Sequence, residues 1–146
     1  MRRKLDGPGN RSGMKILIIG EDDRPRDLAE ALETEGVDVV RPPKDSLPEA
    51  ATDEVAQIAR GLIAFEKLFA DEAPDAVLLV STSNLALAAV LVATKIRIPV
   101  AALGTWAQDQ AGLSELNRRL IVQLADGTVA DDSATITASL RDLAAV

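Results

Sequence analysis

The chain has no cysteine, no histidine and no tyrosine in 146 residues, and only one tryptophan. Without thiol or imidazole there is no cysteine nucleophile, no Ser-His-Asp triad, no histidine base and no zinc site with nitrogen or sulfur ligands. Any chemistry falls to carboxylates, hydroxyls, amides, Arg and Lys. Absence of cysteine fits a reducing cytoplasm, the expected location, although cysteine-free chains also occur among exported proteins. Neither Gly-x-Gly-x-x-Gly nor Gly-x-x-x-x-Gly-Lys-Ser/Thr occurs, so dinucleotide and P-loop readings have no support. No metal site and no cofactor is expected.

Basic charge is scarce outside the start of the chain. Arg2, Arg3, Lys4 and Arg11 stand against Asp6 in residues 1–13, a net of +3 in a chain of net charge −7, which leaves −10 on the remainder. An acidic body of that size repels nucleic acid, so none is expected as partner. The segment MRRKLDGPGNRSG holds three glycines and a proline but no apolar stretch. It reads as a flexible basic tail (1–13), neither signal peptide nor helix, with Met14, directly before the first apolar run, a candidate alternative start. A long uncharged run is also nearly absent. The one of spanning length, Ala76 to Thr94, is broken by Ser81-Thr82-Ser83-Asn84. A buried strand, a turn and a buried helix explain it, and no membrane span is expected.

What remains is ordinary globular composition, 47% apolar and 27% charged, and residues 14–146 read as one domain. A chain of this length buries roughly 68–70% of its unfolded surface and needs no disulfide or metal to stand. MKILIIG, 14–20, is a continuous apolar run ending in glycine, as in a strand buried on both faces. A helix follows from Pro25 to the stop at Gly36, then a short strand at 37–41 and a proline-rich loop at 42–50. Apolar residues at 55, 58, 62, 65 and 69 have helical spacing. Strand three is expected at 76–80, an apolar helix sandwiched in the core from Asn84, strand four at 98–103, a helix at 114–125, a fifth strand at 128–130 and a closing helix at 133–145. Alternating strands and helices with right-handed crossovers predict an α/β fold: a three-layer, doubly wound sheet of about five parallel strands, Rossmann-like or flavodoxin-like. Such sheets bind ligands outside the carboxyl ends of their strands, which makes 20–24, 81–84, 104–110 and 131–133 the candidate segments.

Each candidate has a functional and a structural reading. Glu21-Asp22-Asp23 resembles the Mg²⁺-holding acidic cluster of a receiver domain, but Val80-Ser81 and Asp131-Asp132 stand where a receiver needs its phosphoacceptor Asp and its Lys. An acidic trio also stabilises a helix start through the dipole. Ser81, Thr82, Ser83 and Asn84 put hydroxyls and helix-start amides at one point, suited to a phosphate or sugar oxygen, while Asn84 or Ser83 as N-cap accounts for them without a ligand. Trp106 either covers a sugar or partner, or is buried under its own loop. Of Arg118 and Arg119, adjacent on a helix and about 100° apart, at most one faces a cleft.

These residues carry a family resemblance. PDAVLLVSTSNLALAAVLVATKIRIPV, 74–100, is similar to the stretch PD-x-V-L-V-x-G-D-T, apolar helix, I-P-V of the nucleotide-sugar 2-epimerases acting on UDP-N-acetylglucosamine. SELNRRLIVQLADGTVADDSATITASL resembles the E-E-I-N-R-x-L-x-x-x-L-A-D segment of that family together with its next strand and Ser/Thr-led helix. Gly20 and Arg24-Pro25 resemble its G-T-R-P with two residues inserted, and one strand of the family's N-terminal domain is missing. The resemblance implies a stand-alone N-terminal half of a two-domain, GT-B-like enzyme, without the half that supplies most UDP contacts. It also implies ligand-binding positions at Arg24, Ser81, Thr82, Ser83, Asn84, Glu115, Asn117 and Arg118. The family's acidic residues fall on Thr82, Gly104 and Ser114, so no catalytic residue carries over. Epimerisation at C2 requires a base, and no epimerase activity is expected.

Three functional readings stay open. One is a non-catalytic module, a pseudoenzyme, that binds a sugar nucleotide or a protein partner: a second copy, a separately encoded second half or an intact epimerase. Another is an enzyme of altered chemistry using Glu115, Arg118 and the hydroxyls of 81–84 on a nucleotide sugar. The third is a degenerate receiver-like interaction domain. If the chain self-associates, the apolar helices near 55–69 or 84–97 are the expected face.

Overall fold

The computed structural model describes residues 13–20, 24–43, 45–48, 53–104 and 113–145. The N-terminal tail as far as residue 12, Glu21-Asp22-Asp23 and Trp106 lie outside the described residues. The opening apolar run forms β1 (Lys15–Ile19), with Ile16 to Ile19 buried. It joins β2 (Asp38–Val40), β3 (Ala76–Leu79), β4 (Val100–Leu103) and β5 (Gly127–Val129) in one parallel sheet of order β2-β1-β3-β4-β5. Between them run α1 (Arg24–Thr34), α2 (Glu54–Glu72), α3 (Asn84–Ile96) and α4 (Leu113–Leu124), and α5 (Ser133–Ala144) closes the chain. The expected α/β architecture, Rossmann-like with five parallel strands, is what forms.

Alternation along the strands builds two cores. Leu17, Ile19, Val77, Leu79, Val100 and Ala102 face α2, α3 and α4, where Phe65, Phe69 and Ile121 complete the packing. Ile16, Ile18, Leu78, Ala101 and Leu103 face α1 and α5 with Leu28, Leu32, Ile136 and Leu140. Helix α3 packs against both α2 and α4 and buries eight residues, which is why its sequence is apolar nearly all round. Helix α2 comes close to α3 at Gly61, where a Cβ would stand 3.0 Å from the Ala88 Cβ.

Boundaries differ from the sequence reading where proline or a helix cap decides them. Strand four starts at Val100 rather than 98, because Pro99 has no N–H and the Ile98 N–H is spent on the Ala93 carbonyl at the end of α3. Arg97, left-handed at φ 68°, makes that turn. Strand three ends at Leu79, although Val80 still donates to the Ile19 carbonyl. Along α2, Phe65 and Phe69 are buried as the spacing predicts, but Val55 is 74% exposed. It lies in the first turn, roughly 80° round the helix from the buried face.

Candidate functional site

The sheet order reverses direction between β1 and β3, so the chain leaves these adjacent strands on opposite faces of the sheet. Outside the carboxyl ends of strands at such a reversal is the place where doubly wound sheets hold ligands in a crevice. Gly20 floors one side. A Cβ there would come within 2.4 Å of the Val80 Cγ2 and 2.8 Å of the Pro25 Cγ, so only glycine lets α1 start this close to β3. Arg24 is the first residue of α1, and its side chain lies outside the described residues. On the other side, residues 81–83 form the loop from β3 into α3.

Within that loop the hydroxyls have distinct tasks. Ser83 is the N-cap of α3, its Oγ accepting from the Ala86 N–H at 3.1 Å, so it wins the role that the sequence left between Ser83 and Asn84. The Ser81 hydroxyl lies 3.2 Å from the Ser83 hydroxyl and accepts from the Ser83 N–H at 3.4 Å. Thr82 is buried, and its carbonyl accepts from the Asn117 amide at 3.0 Å.

Asn84 and Asn117 connect three helices. The Asn117 Nδ2, buried on α4, donates to the Thr82 carbonyl and to the Asn84 Oδ1, both at 3.0 Å. The Asn84 Nδ2 donates in turn to the Gln57 Oε1 at 3.0 Å and to the Glu54 carboxylate on α2. Glu54 and Gln57 were not among the residues the sequence singled out. Their only signal is position: two polar side chains in the first turn of α2, held there by the N-cap Asp53, whose Oδ1 accepts from the Val55 and Ala56 N–H groups.

One turn of α4 adds a charged fork. The Arg118 Nε and Nη2 donate to the two Glu115 oxygens at 3.1 and 2.9 Å, as the i,i+3 spacing allows. That hydrogen bonding holds the Glu115 carboxyl below its usual range and raises the Arg118 guanidinium above its own. Arg119, its neighbour on the helix, is exposed. Thus Thr82, Asn84 and Asn117 meet directly, and Glu115 and Arg118 lie on the same helix as Asn117.

The remaining strand ends are plainer. Gly104 follows β4, with its N–H on the Val129 carbonyl at 2.7 Å, and among the described residues an added Cβ meets nothing nearer than 3.5 Å. Asp132 caps α5, accepting from the Thr135 N–H at 2.9 Å and its hydroxyl at 2.6 Å, which lowers its pKa. Among the described residues no group of three or more acidic side chains is placed to hold a metal ion. No helix among them is long and apolar enough to cross a membrane. The arrangement offers hydroxyl, amide and paired-charge contacts.

A profile of the family described as UDP-N-acetylglucosamine 2-epimerase matches residues 15–140. Among solved structures, the chain is similar to the Methanocaldococcus jannaschii UDP-GlcNAc 2-epimerase in complex with UDP-GlcNAc and UDP, at 24% identity and TM-score 0.64, over 90% of this chain and 43% of that one. It is also similar to S. aureus MnaA in a co-structure with UDP, at 23% identity and TM-score 0.63, over 88% of this chain and 40% of that one. The Neisseria meningitidis UDP-GlcNAc 2-epimerase bound to UDP-GlcNAc matches at 18% identity and TM-score 0.60, over 88% and 43%. The chain therefore spans less than half the length of these structures. No curated protein sequence matches it.

Proposed function

The chain belongs to the UDP-N-acetylglucosamine 2-epimerase family, and from that premise we propose that it is a non-catalytic relative of the family's N-terminal half that holds a nucleotide sugar at the crevice between β1 and β3. The observation that carries the reading is the joining of Thr82, Asn84 and Asn117 after β3, next to Ser81 and with the Glu115–Arg118 pair on the helix that bears Asn117, in a chain similar to structures solved with UDP or UDP-GlcNAc bound. A Glu–Arg pair presents acceptor and donor together, and two of the five guanidinium N–H groups are committed to Glu115. Such a pair suits sugar hydroxyls and an acetamido group better than a bare phosphate, because Glu115 offsets the cation.

The same geometry argues against turnover. Proton abstraction at C2 needs a base whose pKa lies near the working pH, and hydrogen bonding from Arg118 moves Glu115 the other way. Thr82, Gly104 and Ser114 occupy the positions where the resemblance places acids. The test is thermal unfolding with UDP-GlcNAc, UDP and Mg²⁺ added separately. Ligand at a hundred times its dissociation constant adds roughly 2.7 kcal/mol, a rise of about 5 to 10 °C for this size. A rise with UDP-GlcNAc, and no exchange of the C2 proton for deuterium by NMR, is the expected result. Exchange would refute the non-catalytic part, and no rise with saturating UDP-GlcNAc would refute the site.

A second reading, a protein partner such as a second copy or a chain supplying the other half, is favoured by one observation: Val55 and Ile63 stand 74% and 71% exposed on α2.

A further inference from the structure

We propose that a cavity at the amino edge of the sheet binds a free α-amino acid with an aliphatic side chain. The cavity encloses about 370 Å³, a size usual for small-ligand pockets. Ile98 and Pro99 before β4, Leu124 at the end of α4 and Leu143 near the end of α5 make its apolar wall, and Arg97, the cap of α3, and Asp126, just before β5, bring two opposite charges. Among the described residues these two charges pair neither with each other nor with any other charged side chain, whereas Lys15, Lys67 and Arg118 each have an ion-pair partner. Opposite charges that line one cavity without meeting leave a gap suited to a molecule carrying both.

Each charge is held in place. The Asp126 Oδ2 accepts from the Val100 N–H at 2.8 Å, and a carboxylate keeps acceptor capacity after one such bond. Arg97 stands at φ 68°, the left-handed region where glycine is the usual residue at a helix end. An arginine there carries a backbone cost and returns no ion pair to the fold. The local field then sets the ligand's polarity. Helices α3, α4 and α5 run against the strands and all end at this edge. Their three C-termini, each equivalent to about half a negative charge, join Asp126 and outweigh Arg97. A ligand ammonium is therefore retained, while the Arg97 fork takes a carboxylate. A phosphate or a dicarboxylate meets net repulsion. The apolar wall selects an aliphatic side chain over a polar one. The site does not rest on the nucleotide-sugar reading, because residues 81–84 and 115–118 stand at the opposite, carboxyl edge.

The experiment is a heteronuclear NMR titration of the full chain with L-leucine. Glycine, L-leucinamide and N-acetyl-L-leucine serve as probes lacking, in turn, the side chain, the carboxylate and the ammonium. L-leucine is expected to give saturable shifts centred on amides 94–98, 124–127 and 143, with a Kd of about 1 mM or lower, and each of the other three to bind at least about tenfold more weakly. Arg97→Gly places the usual residue in the left-handed position, so it should keep or raise Tm while weakening L-leucine at least about tenfold. Asp126→Asn retains an acceptor for the Val100 N–H and should weaken L-leucine as much. The proposal is overturned by the absence of saturable shifts at about 10 mM L-leucine, or by shifts centred on residues 81–84 and 115–118. Equal affinity for any of the three other probes would overturn it too, as would an Arg97→Gly chain that folds and binds like wild type.

Discussion

The bridge through Asn117 makes the sharpest prediction, because its direction is set by a group that cannot turn round. An amide can present either end to its neighbours, and assignment rests on the whole network. Here Glu54 is acceptor-only, so Asn84 must aim its Nδ2 at Glu54 and Gln57, leaving its Oδ1 toward α4. Asn117 must then aim its own Nδ2 at Asn84 and at the Thr82 carbonyl. Replacing Asn117 with Ala removes two hydrogen bonds at a site where Asn117 is 6% and Thr82 7% exposed. At up to about 1.5 kcal/mol per bond, the loss is about 3 kcal/mol. For a chain of this size that lowers Tm by roughly 10 °C.

Asn117→Asp keeps the shape but faces the same two acceptors with oxygens alone, so it should cost at least about 1 kcal/mol more than Ala. Asn84 cannot rescue it by flipping while Glu54 remains a carboxylate. Adding Glu54→Gln frees the relay, since the side chains at positions 54 and 57 can then both donate and Asn84 can turn its Nδ2 toward the carboxylate introduced on α4. The Asn117→Asp, Glu54→Gln double variant should therefore be more stable than Asn117→Asp alone. Urea unfolding followed by circular dichroism compares wild type with all three variants, and an unchanged m shows that only stability moves. If Asn117→Ala lies within about 0.5 kcal/mol of wild type, or Glu54→Gln leaves Asn117→Asp where it was, the relay is wrong.

Three further outcomes test the fold around the site. Gly20→Ala should cost about 2 kcal/mol in urea unfolding, because its Cβ would overlap Val80 and Pro25, whereas Gly104→Ala should stay within about 0.5 kcal/mol because its Cβ has room. Thr137 is 3% exposed with no hydrogen-bond partner for its hydroxyl among the described residues, so Thr137→Val should raise stability by about 1 kcal/mol in the same assay. Asp132 has a lowered pKa in the folded chain, chiefly from the Thr135 hydroxyl. Its stabilisation is present above the unfolded value and lost as pH falls through the folded one. The stability gap between wild type and Asp132→Ala should accordingly be flat from about pH 5 to 8 and close in the acid range below about pH 4.

Legibility followed the range of the forces involved. β1, β3, β4 and α3 were readable because strands buried on both faces and a sandwiched helix leave continuous apolar runs, a local record of a global position. Val55 misled because helical spacing says which residues share a face, but not how far the partner surface extends along it. The carboxyl edge was readable as a place, since parallel topology alone puts residues 81–84 and 104 there. The division of labour within it was not. Asn84 looks like a cap in sequence, yet Ser83 takes that role and Asn84 spends its amide on α2 and α4, contacts 27 to 33 positions away that no local pattern encodes. The same hydrogen-bond accounting separates groups committed to holding the loop from groups with donors to spare. Asn84, Asn117 and Ser83 already have the partners that hold the loop, so their loss should act through stability. Arg118 retains N–H groups beyond the two that meet Glu115, so its loss should act on ligand affinity with little change in folding, a contrast that a paired measurement of Tm and Kd on Asn117→Ala and Arg118→Ala resolves.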